Sequence, residues 1–362
     1  MNKKNKIFLF NPYPSTGGAD TTIYRFINSI NLKKFDVEYL SLRKVKYNLI
    51  KNVTYTKINS TSTFLSFYKI SKIVKNDKHK NKIFISLQYF ANVWSIIFIK
   101  LILRIKTFIY EINHLNELNY YKNFIEFVKK KIIKFLVKKL YINSDIIAGN
   151  SKELSIDLQK YVNKKVYTLY NPCFESIKKR KKKYLTKQNI NLLSIARFED
   201  QKDHFTLLKA IKYSRIKDKI NLLLVGFGSR ENEIRKYIKH NKLRVKIFLN
   251  SKKLDFFYNK SDLFVSTSLY EGLPTTMIEA ASYCLPIISS NFKSGAAEIL
   301  SNGKSGFLFK LRDYKKLSKL IEDFYNNPKI FLQKEKNCRR NLNRFSVKKN
   351  TKLFNHLVQS LI

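Results

Sequence analysis

The chain has 362 residues, of which 44% are hydrophobic and 27% are charged. Its 28 Phe and 22 Tyr need burial, which excludes an intrinsically disordered chain, and its 9 Gly and 6 Pro exclude a collagen-like or linker-type chain. A chain of this length is expected to form roughly two domains, each with its own core. Three widely spaced cysteines, Cys173, Cys284 and Cys338, indicate a reducing compartment without a disulfide framework.

The formal charge of +45 is the most unusual property of the sequence. It has three possible sources: nucleic-acid binding, binding to an anionic membrane, or a composition biased towards lysine. Net charge concerns partners and solubility rather than fold. Because the positive charge is spread along the whole chain, we favour a membrane surface or a composition bias over a nucleic-acid-binding arm.

The first half of the chain alternates short apolar runs with helical periodicity, which predicts an α/β domain with a parallel sheet. We expect a first helix at residues 19–30 and strands at residues 6–10, 35–42, 83–87, 107–112 and 145–148. The loop before the helix contains Gly17 and Gly18, which allow the backbone to approach a ligand at a helix N-terminus. A simple turn is the alternative role of this glycine pair.

Residues 121–141 are typical of a basic amphipathic helix. Lysines occupy most of the other positions, so two interpretations remain open: a helix that packs on the core, or one that lies on anionic lipid. The apolar residues that recur at steps of three and four are Phe124, Phe127, Val128, Ile132, Phe135, Leu136 and Leu140.

The sequence shows neither a secretory signal nor an apolar run of the ~20 residues that a spanning helix needs. The most apolar window, residues 94–105, is interrupted by Lys100 and Arg104. We therefore expect a cytoplasmic protein that is held peripherally at the inner face of the cell membrane.

Six consecutive basic residues at 178–183 follow Asn171 and Pro172 and predict a linker. A second α/β series comes after it, and the tail from residue 313 is predicted to be helical. The expected helices are 205–214, 231–240 and 275–284, and the expected strands are 190–196, 221–226, 245–249, 263–267 and 286–289.

The strongest candidate site is the stretch from Glu271 to Glu279. A strand leads into a loop with Glu271, and a helix opens near Pro274. The backbone N–H groups of Gly272, Leu273, Thr275 and Thr276 can then face a phosphate, helped by the helix dipole. The carboxylates of Glu271 and Glu279 can both accept hydrogen bonds from sugar hydroxyls. The alternative is that one of them caps the helix and the other lies at the surface.

Two further groups follow predicted strands, where open α/β sheets bind ligands. Arg197 and Lys202 can hold phosphate oxygens, although two cations in one loop are expected by chance in so basic a chain. His114 follows another strand, but a lone histidine is more often structural. No histidine pair has metal-ligand spacing, so we expect no metal site. The Gly226-Phe227-Gly228 turn lacks the third glycine of a dinucleotide fingerprint.

Residues 192–309 resemble the nucleotide-sugar half of the retaining GT-B glycosyltransferases of family 4, the glycosyltransferase group 1 domain. The resemblance rests on Arg197 with Lys202, on Gly226-Phe227-Gly228, and on Glu271 and Glu279 with seven residues between them. The Gly17-Gly18 loop and the Asn171-Pro172 linker match more weakly. One departure precedes Glu298, where Lys293-Ser294-Gly295 stands in place of the two glycines that family members usually show.

The resemblance implies retaining transfer of a hexose or N-acetylhexosamine from a nucleotide diphosphate sugar, most simply a UDP-sugar, without a metal or cofactor. Arg197 and Lys202 would hold the diphosphate, Glu271 the donor sugar and Glu279 the ribose. The remaining contacts implied are the amides from Leu273 to Thr276 at the leaving phosphate, Phe248 and Leu249 at the base, Gly17 and Gly18 at the diphosphate, and His114 at the transferring sugar.

The implied architecture is two Rossmann-like domains that face across a cleft, with a C-terminal helix that returns to the first domain. We expect an acceptor-binding domain at 1–171, a nucleotide-sugar-binding domain at 172–342 and the returning helix at 343–362. The expected acceptor is a lipid-linked or lipid-anchored glycan of bacterial surface polysaccharide or lipopolysaccharide biosynthesis. The alternatives are a sugar-nucleotide epimerase or phosphorylase of the same fold, and a basic nucleic-acid-binding protein.

Overall fold

The computed structural model describes residues 4–14, 18–44, 52–121, 123–178, 188–251 and 253–362. The chain forms two units: Met1–Pro172 with Val347–Ile362, and Cys173–Ser346. The sequence placed these boundaries after residues 171 and 342. Gly17 and residues 179–183 of the predicted linker lie outside the described residues, whereas Lys178 is hydrogen-bonded to Ser282 inside the second unit.

The first unit contains a parallel sheet of seven strands in the order β3-β2-β1-β4-β5-β6-β7. The change of direction between β1 and β4 is a topological switch point, where ligands of open α/β sheets bind. The strands are β1 (Asn5–Phe10), β2 (Phe35–Ser41), β3 (Val53–Lys57), β4 (Lys82–Leu87), β5 (Lys106–Glu111), β6 (Ile146–Gly149) and β7 (Tyr167–Thr168).

Helices cover both faces of this sheet. Successive side chains of a strand point to opposite faces and pack into the cores there. Ile7 and Leu9 of β1 face one side, whereas Phe8 and Phe10 face the other. The helices that lie before the second unit in the chain are α1 (Gly18–Ser29), α2 (Thr63–Asn76), α3 (Tyr89–Ser95), which continues as a π-helix (Ile96–Ile102), α4 (Phe124–Leu140) and α5 (Lys152–Val162). The α1 side forms one core, and α2 to α5 cover the opposite side.

The second unit has a parallel sheet of six strands in the order β10-β9-β8-β11-β12-β13. Its switch point lies between β8 and β11. The strands are β8 (Ile190–Ile195), β9 (Ile220–Gly226), β10 (Val245–Leu249), β11 (Leu263–Ser266), β12 (Ile287–Ser290) and β13 (Phe307–Phe309). The helices are α6 (His204–Lys212), α7 (Glu231–His240), α8 (Leu254–Lys260), α9 (Thr275–Ser282), α10 (Ala296–Ile299), α11 (Tyr314–Asn326) and α12 (Pro328–Arg340).

The last helix, α13 (Val347–Gln359), belongs to the first unit. Its Phe354 ring stacks on Phe26 of α1 at 4.5 Å, and the Asn355 side chain donates to the Ser29 carbonyl at 2.9 Å. The expectation of two Rossmann-like units with a returning C-terminal helix is therefore confirmed.

The amphipathic stretch at residues 121–141 contains helix α4, but most residues of its predicted apolar stripe do not pack on the core. Ile133 and Val137 of α4 are buried, whereas Phe124, Val128 and Phe135 are exposed. Both sets recur at helical spacing, so periodicity alone did not distinguish them. Within the described part of the chain, no helix is long and apolar enough to cross a membrane.

Candidate functional site

Two loops meet at the carboxyl ends of β8 and β11, beside the switch point of the second sheet. The loop after β8 carries Arg197 and Lys202, and the loop after β11 carries Glu271. Hydrogen bonds join the loops: the Gln201 amide donates to the Tyr270 carbonyl at 2.7 Å, and the Gln201 carbonyl accepts from the Leu269 N–H at 2.8 Å. The fold thus brings together two groups of residues that are about 70 positions apart.

Lys202 and Glu271 form a direct ion pair in this site. The Ser268 hydroxyl donates to the same Glu271 oxygen at 2.8 Å. Both charged side chains are largely buried and line a cavity together with Pro274 and Thr276. An ammonium group has three N–H donors, so Lys202 can bind an anionic ligand while it keeps Glu271 in place.

Arg197 is exposed at the same edge, and its backbone is held by a buried histidine. His204 Nε2 lies 3.0 Å from the Arg197 carbonyl oxygen, which can only accept, so Nε2 carries the hydrogen. Burial is the main cause that lowers the pKa of His204, to about 4. The ring is therefore neutral near pH 7 and acts as a fixed donor that positions the Arg197 loop.

The Glu271 loop is also fastened to the segment that departs from the usual two glycines. The Glu271 N–H donates to the Lys293 carbonyl at 3.2 Å, and the Ser294 N–H donates back to Glu271 at 3.1 Å. The Ser294 hydroxyl donates to the Gly272 carbonyl at 2.8 Å. Gly295 has φ +97°, and a Cβ there would lie 2.8 Å from the Gly272 carbonyl oxygen, so only glycine fits without strain.

Helix α9 begins at Thr275 directly after this loop, with Pro274 as its N-cap. The first N–H groups of a helix lack partners within the helix and carry its positive dipole end. The backbone of Gly272, Leu273, Thr275 and Thr276 therefore lies where an anion would be stabilised, next to the Lys202–Glu271 pair.

Glu279 lies within α9, and its carboxylate is held by a residue that the sequence did not indicate. The Tyr258 hydroxyl, from α8, donates to Glu279 Oε2 at 2.8 Å. Tyr258 is fully buried and stacks on Tyr283, with ring centroids 4.9 Å apart. Burial and the Glu279 charge raise the pKa of Tyr258 well above its usual value, which keeps the hydroxyl protonated as a donor.

Phe248 and Leu249 end β10, at the same carboxyl edge of the sheet. The Phe248 ring packs 4.7 Å from that of Phe257 in α8, and Leu249 is exposed. Among the described residues, no group of three or more His, Cys, Asp or Glu side chains is arranged to hold a metal ion. The three cysteines, all among the described residues, are buried, and none of them forms a disulfide bond.

The first unit contains the remaining candidates. Gly18 begins α1 after β1, at the switch point of its sheet. The His114 ring, which follows β5, is buried and both of its nitrogens have partners: Nδ1 accepts from the Asn116 N–H at 3.1 Å, and Nε2 donates to Asp157 Oδ2 at 3.0 Å. These contacts fix the ring within the first unit.

A buried carboxyl group that the sequence did not single out ends β5. Glu111 accepts from the Asn92 amide at 2.7 Å and from the Tyr141 hydroxyl. Burial raises the pKa of Glu111 well above its usual value. The Glu111 side chain thus joins β5 to Asn92 of α3 and to Tyr141 at the end of α4.

Comparison with known proteins assigns the second unit to a family. The model described as "Glycosyl transferases group 1" matches residues 175–345. A curated relative from Campylobacter jejuni is 24% identical over 86% of this chain and 87% of its own length. That relative is named as an α-1,4-N-acetyl-D-galactosaminyltransferase that acts on a diphospho-undecaprenol-linked glycan.

Solved structures of low identity share the fold over nearly the whole chain. Sucrose-phosphate synthase from Thermosynechococcus elongatus superposes with a TM-score of 0.83 at 15% identity, and covers 99% of both chains. Anabaena HepE in complex with UDP-glucose superposes with a TM-score of 0.78 at 16% identity, and covers 98% of this chain and 99% of its own.

Proposed function

Because the chain carries a group 1 glycosyl transferase domain in a GT-B fold, we propose that it is a retaining, metal-independent hexosyl- or N-acetylhexosaminyltransferase. Its donor is a UDP-sugar, and its acceptor is a membrane-associated glycan in bacterial surface polysaccharide or lipopolysaccharide biosynthesis. The observation that carries the proposal is the Lys202–Glu271 pair, which lies between the ends of β8 and β11 and beside the start of α9.

The site suits a donor whose leaving group is a diphosphate. Negative charge develops on the phosphate oxygens as the bond to the sugar breaks. In this proposal, Arg197, Lys202 and the N–H groups of Thr275 and Thr276 stabilise that charge without proton transfer. These groups supply the electrostatic role that a metal plays in other transferases, so we expect transfer to persist when metals are chelated.

Glu271 and Glu279 bind different parts of the donor. Glu271 is fixed by Lys202 and Ser268, and it offers a carboxylate to the hydroxyls of the donor sugar. Glu279, oriented by Tyr258, offers a carboxylate to the ribose, and Phe248 and Leu249 border the base. A carboxylate accepts two hydrogen bonds readily, so each glutamate can bind adjacent hydroxyls.

Retention follows if the acceptor attacks from the face that the diphosphate leaves. The departing phosphate oxygen then accepts the proton of the acceptor hydroxyl, so no separate protein base is needed. The acceptor proposal is supported by the C. jejuni relative, whose named substrate is linked to diphospho-undecaprenol. The donor proposal is supported by the shared fold with HepE bound to UDP-glucose.

The test is nucleotide release from a panel of UDP-, GDP- and ADP-sugars in the presence of EDTA. We expect release from one or more UDP-sugars, with a loss on the order of 100-fold or more in Lys202→Ala and Glu271→Gln, as is usual when a group that stabilises transition-state charge is removed. Lys236→Ala, an exposed lysine of α7, is the matched control and should keep full activity.

Two results would contradict the proposal. Equal activity in wild type and both site variants would show that the chemistry lies elsewhere. Conversion of the donor into an isomer without an acceptor would identify an epimerase instead.

A further inference from the structure

Helix α4 has two apolar stripes on different sides. Ile133 and Val137 form the inner stripe and pack into the core formed with α3, α5 and the sheet. The outer stripe lies on a different side of the helix from the inner one. Its members recur at steps of four, four and three residues: Phe124, Val128, Ile132 and Phe135. Neighbouring isoleucines therefore differ sharply: Ile133 is 3% exposed and Ile132 is 51% exposed.

The outer stripe is unusually apolar for a surface. Phe124 is 76% exposed and Phe135 is 59% exposed, and Ile125 beside them is also exposed. Single exposed apolar side chains are ordinary, but a contiguous apolar patch with a polar rim marks a surface that binds something. Tyr121, exposed just before the helix, packs its ring 4.8 Å from Phe127 and extends the aromatic end of the stripe.

Lysines border this stripe. At about 3.6 residues per turn, Lys131 and Lys138 lie along one side of it and Lys129 lies along the other; all three are exposed. The helix holds six lysines and a single acidic residue, Glu126, which is paired with Lys130. The patch therefore combines apolar side chains with positive charge that α4 itself leaves largely uncompensated.

Two other elements on this side of the sheet, α2 and the π-helix, have the same character, whereas α5 contains Glu153 and Asp157. Neither α2 nor the π-helix contains an acidic residue, and both contain lysine. Their exposed large apolar side chains are Phe64, Leu65, Tyr68, Leu101 and Ile102.

We infer that the outer face of α4 is a docking surface for a bilayer that contains anionic phospholipid, with the apolar stripe inserted at the level of the headgroups. Charge complementarity selects this partner. A helix with aromatic and aliphatic residues on one side and lysines along its borders buries the former among acyl chains and pairs the latter with phosphate groups. The inference stands on exposure and charge alone, and it would bring the enzyme of the proposed function to a lipid-linked acceptor.

The test is sedimentation of the full chain with vesicles, without donor sugar. One set contains phosphatidylcholine alone and the other contains phosphatidylcholine with an equal amount of phosphatidylglycerol. We expect binding to the anionic vesicles that falls with salt, and much weaker binding to the neutral ones. The double variant Ile132→Ser/Phe135→Ser should weaken binding on the order of tenfold or more, because it removes two side chains that bury apolar area.

Two further variants complete the experiment. Lys129→Ala/Lys131→Ala should weaken binding to the anionic vesicles on the order of 25-fold, since each lysine near an anionic surface contributes about a fivefold gain. Ile330→Ser, which alters a similarly exposed isoleucine of α12 in the second unit, is the matched control and should bind like wild type.

The inference is overturned if wild type ignores the anionic vesicles or if the double variant binds them as wild type does. It is also overturned if the double variant abolishes a dimer that wild type forms without lipid, because the stripe is then an interface between copies of the chain. Nucleotide release from a soluble donor should be unchanged in the double variant. A failure of docking is thus distinguishable from a failure of the proposed function.

Discussion

Tyr258 shows that the orientation of a candidate site residue depends on a side chain from another helix. Its hydroxyl donates to Glu279 from α8, 21 positions earlier in the chain. The sequence indicated Glu279 through its spacing from Glu271, but nothing local indicates which side chain would orient it. Contacts of this kind depend on how α8 packs on α9, and they become visible only in the folded structure.

Replacing Tyr258 with phenylalanine keeps the buried ring and removes the hydrogen bond. We expect the KM for the UDP-sugar to rise about tenfold with little change in kcat, since a hydrogen bond to a charged group contributes about 1.5–3 kcal/mol and this one acts on binding. Steady-state kinetics measure the effect, and Tyr213→Phe, an exposed tyrosine, is the control.

A donor that lacks the ribose hydroxyls sharpens this prediction. If Glu279 binds the ribose, the Tyr258→Phe penalty should largely vanish with a deoxyribose donor. An equal penalty with both donors would show that Tyr258 supports the fold rather than the ribose contact.

His204 makes a prediction about pH. Burial, with a smaller contribution from the Lys202 charge, lowers the pKa of His204 to about 4 from the ordinary 6.5. Between pH 6.5 and 4, His204 therefore binds a proton in the unfolded chain but not in the folded chain. Stability from this residue is fully present above that window and is lost as the pH falls through it.

The variant His204→Gln keeps a donor for the Arg197 carbonyl and does not titrate. Between pH 7 and 4, urea unfolding of the second unit should show a stability loss up to about 3 kcal/mol smaller in this variant than in wild type. Parallel pH dependences in the two proteins would contradict the burial of a neutral imidazole.

At the scale of secondary-structure elements, the sequence predicted most strands of both sheets but not β3, β7 or β13, and exposure does not separate the two groups because β10 is as exposed as β3. The ends of β1, β8 and β10 agree with the predicted ranges to within a residue. It did not predict β3, whose residues are mostly half-exposed and which is formed by pairing with β2. The local sequence of β3 is largely polar, and its pairing with β2 decides that it forms a strand.

Helix α4 shows a different limit. Its periodicity was recognised, yet the inner and outer stripes are both apolar, and only the packing of α3 and α5 decides which one is buried. For α9 it did not matter which face is buried. Its proposed role in anion binding was inferred from the position of its N-terminus after a strand.

The two adjacent isoleucines of α4 test this assignment of faces. Ile133→Ala should lower the free energy of unfolding of the first unit by about 2–5 kcal/mol, because it leaves a cavity in the core. Ile132→Ala should change it by less than about 0.5 kcal/mol, as is usual for exposed positions. Urea unfolding measures both. Equal losses would mean that the outer stripe is also covered by protein.

At the scale of the whole molecule, we assign parts of the +45 charge to different partners in the two units. In the second unit, Arg197 and Lys202 lie at the carboxyl edge of the sheet, where the proposed diphosphate binds. In the first unit, Lys129, Lys131 and Lys138 border an apolar stripe that we assign to a membrane. Most of the remaining basic residues have no assigned role, in keeping with a composition biased towards lysine.

The order of strands and helices along the chain was predictable because each Rossmann-like unit alternates them. Helix α13 packs on the first unit through apolar residues at ordinary amphipathic spacing. The convergence of Arg197, Lys202 and Glu271 at one edge of the sheet was predictable, because each lies in a loop that follows a strand. Side-chain contacts between separate elements, such as that of Ser294 with Gly272, were not predictable.

The most direct test of the central claim is the configuration of the sugar that is first released from an α-linked UDP-sugar in the absence of acceptor. Water then replaces the acceptor, and time-resolved proton NMR distinguishes the anomers before they equilibrate. A retaining transferase that uses the Lys202–Glu271 site should release the α-anomer first, and Lys202→Ala should release almost none. Release of the β-anomer first, or equal release by Lys202→Ala, would contradict it.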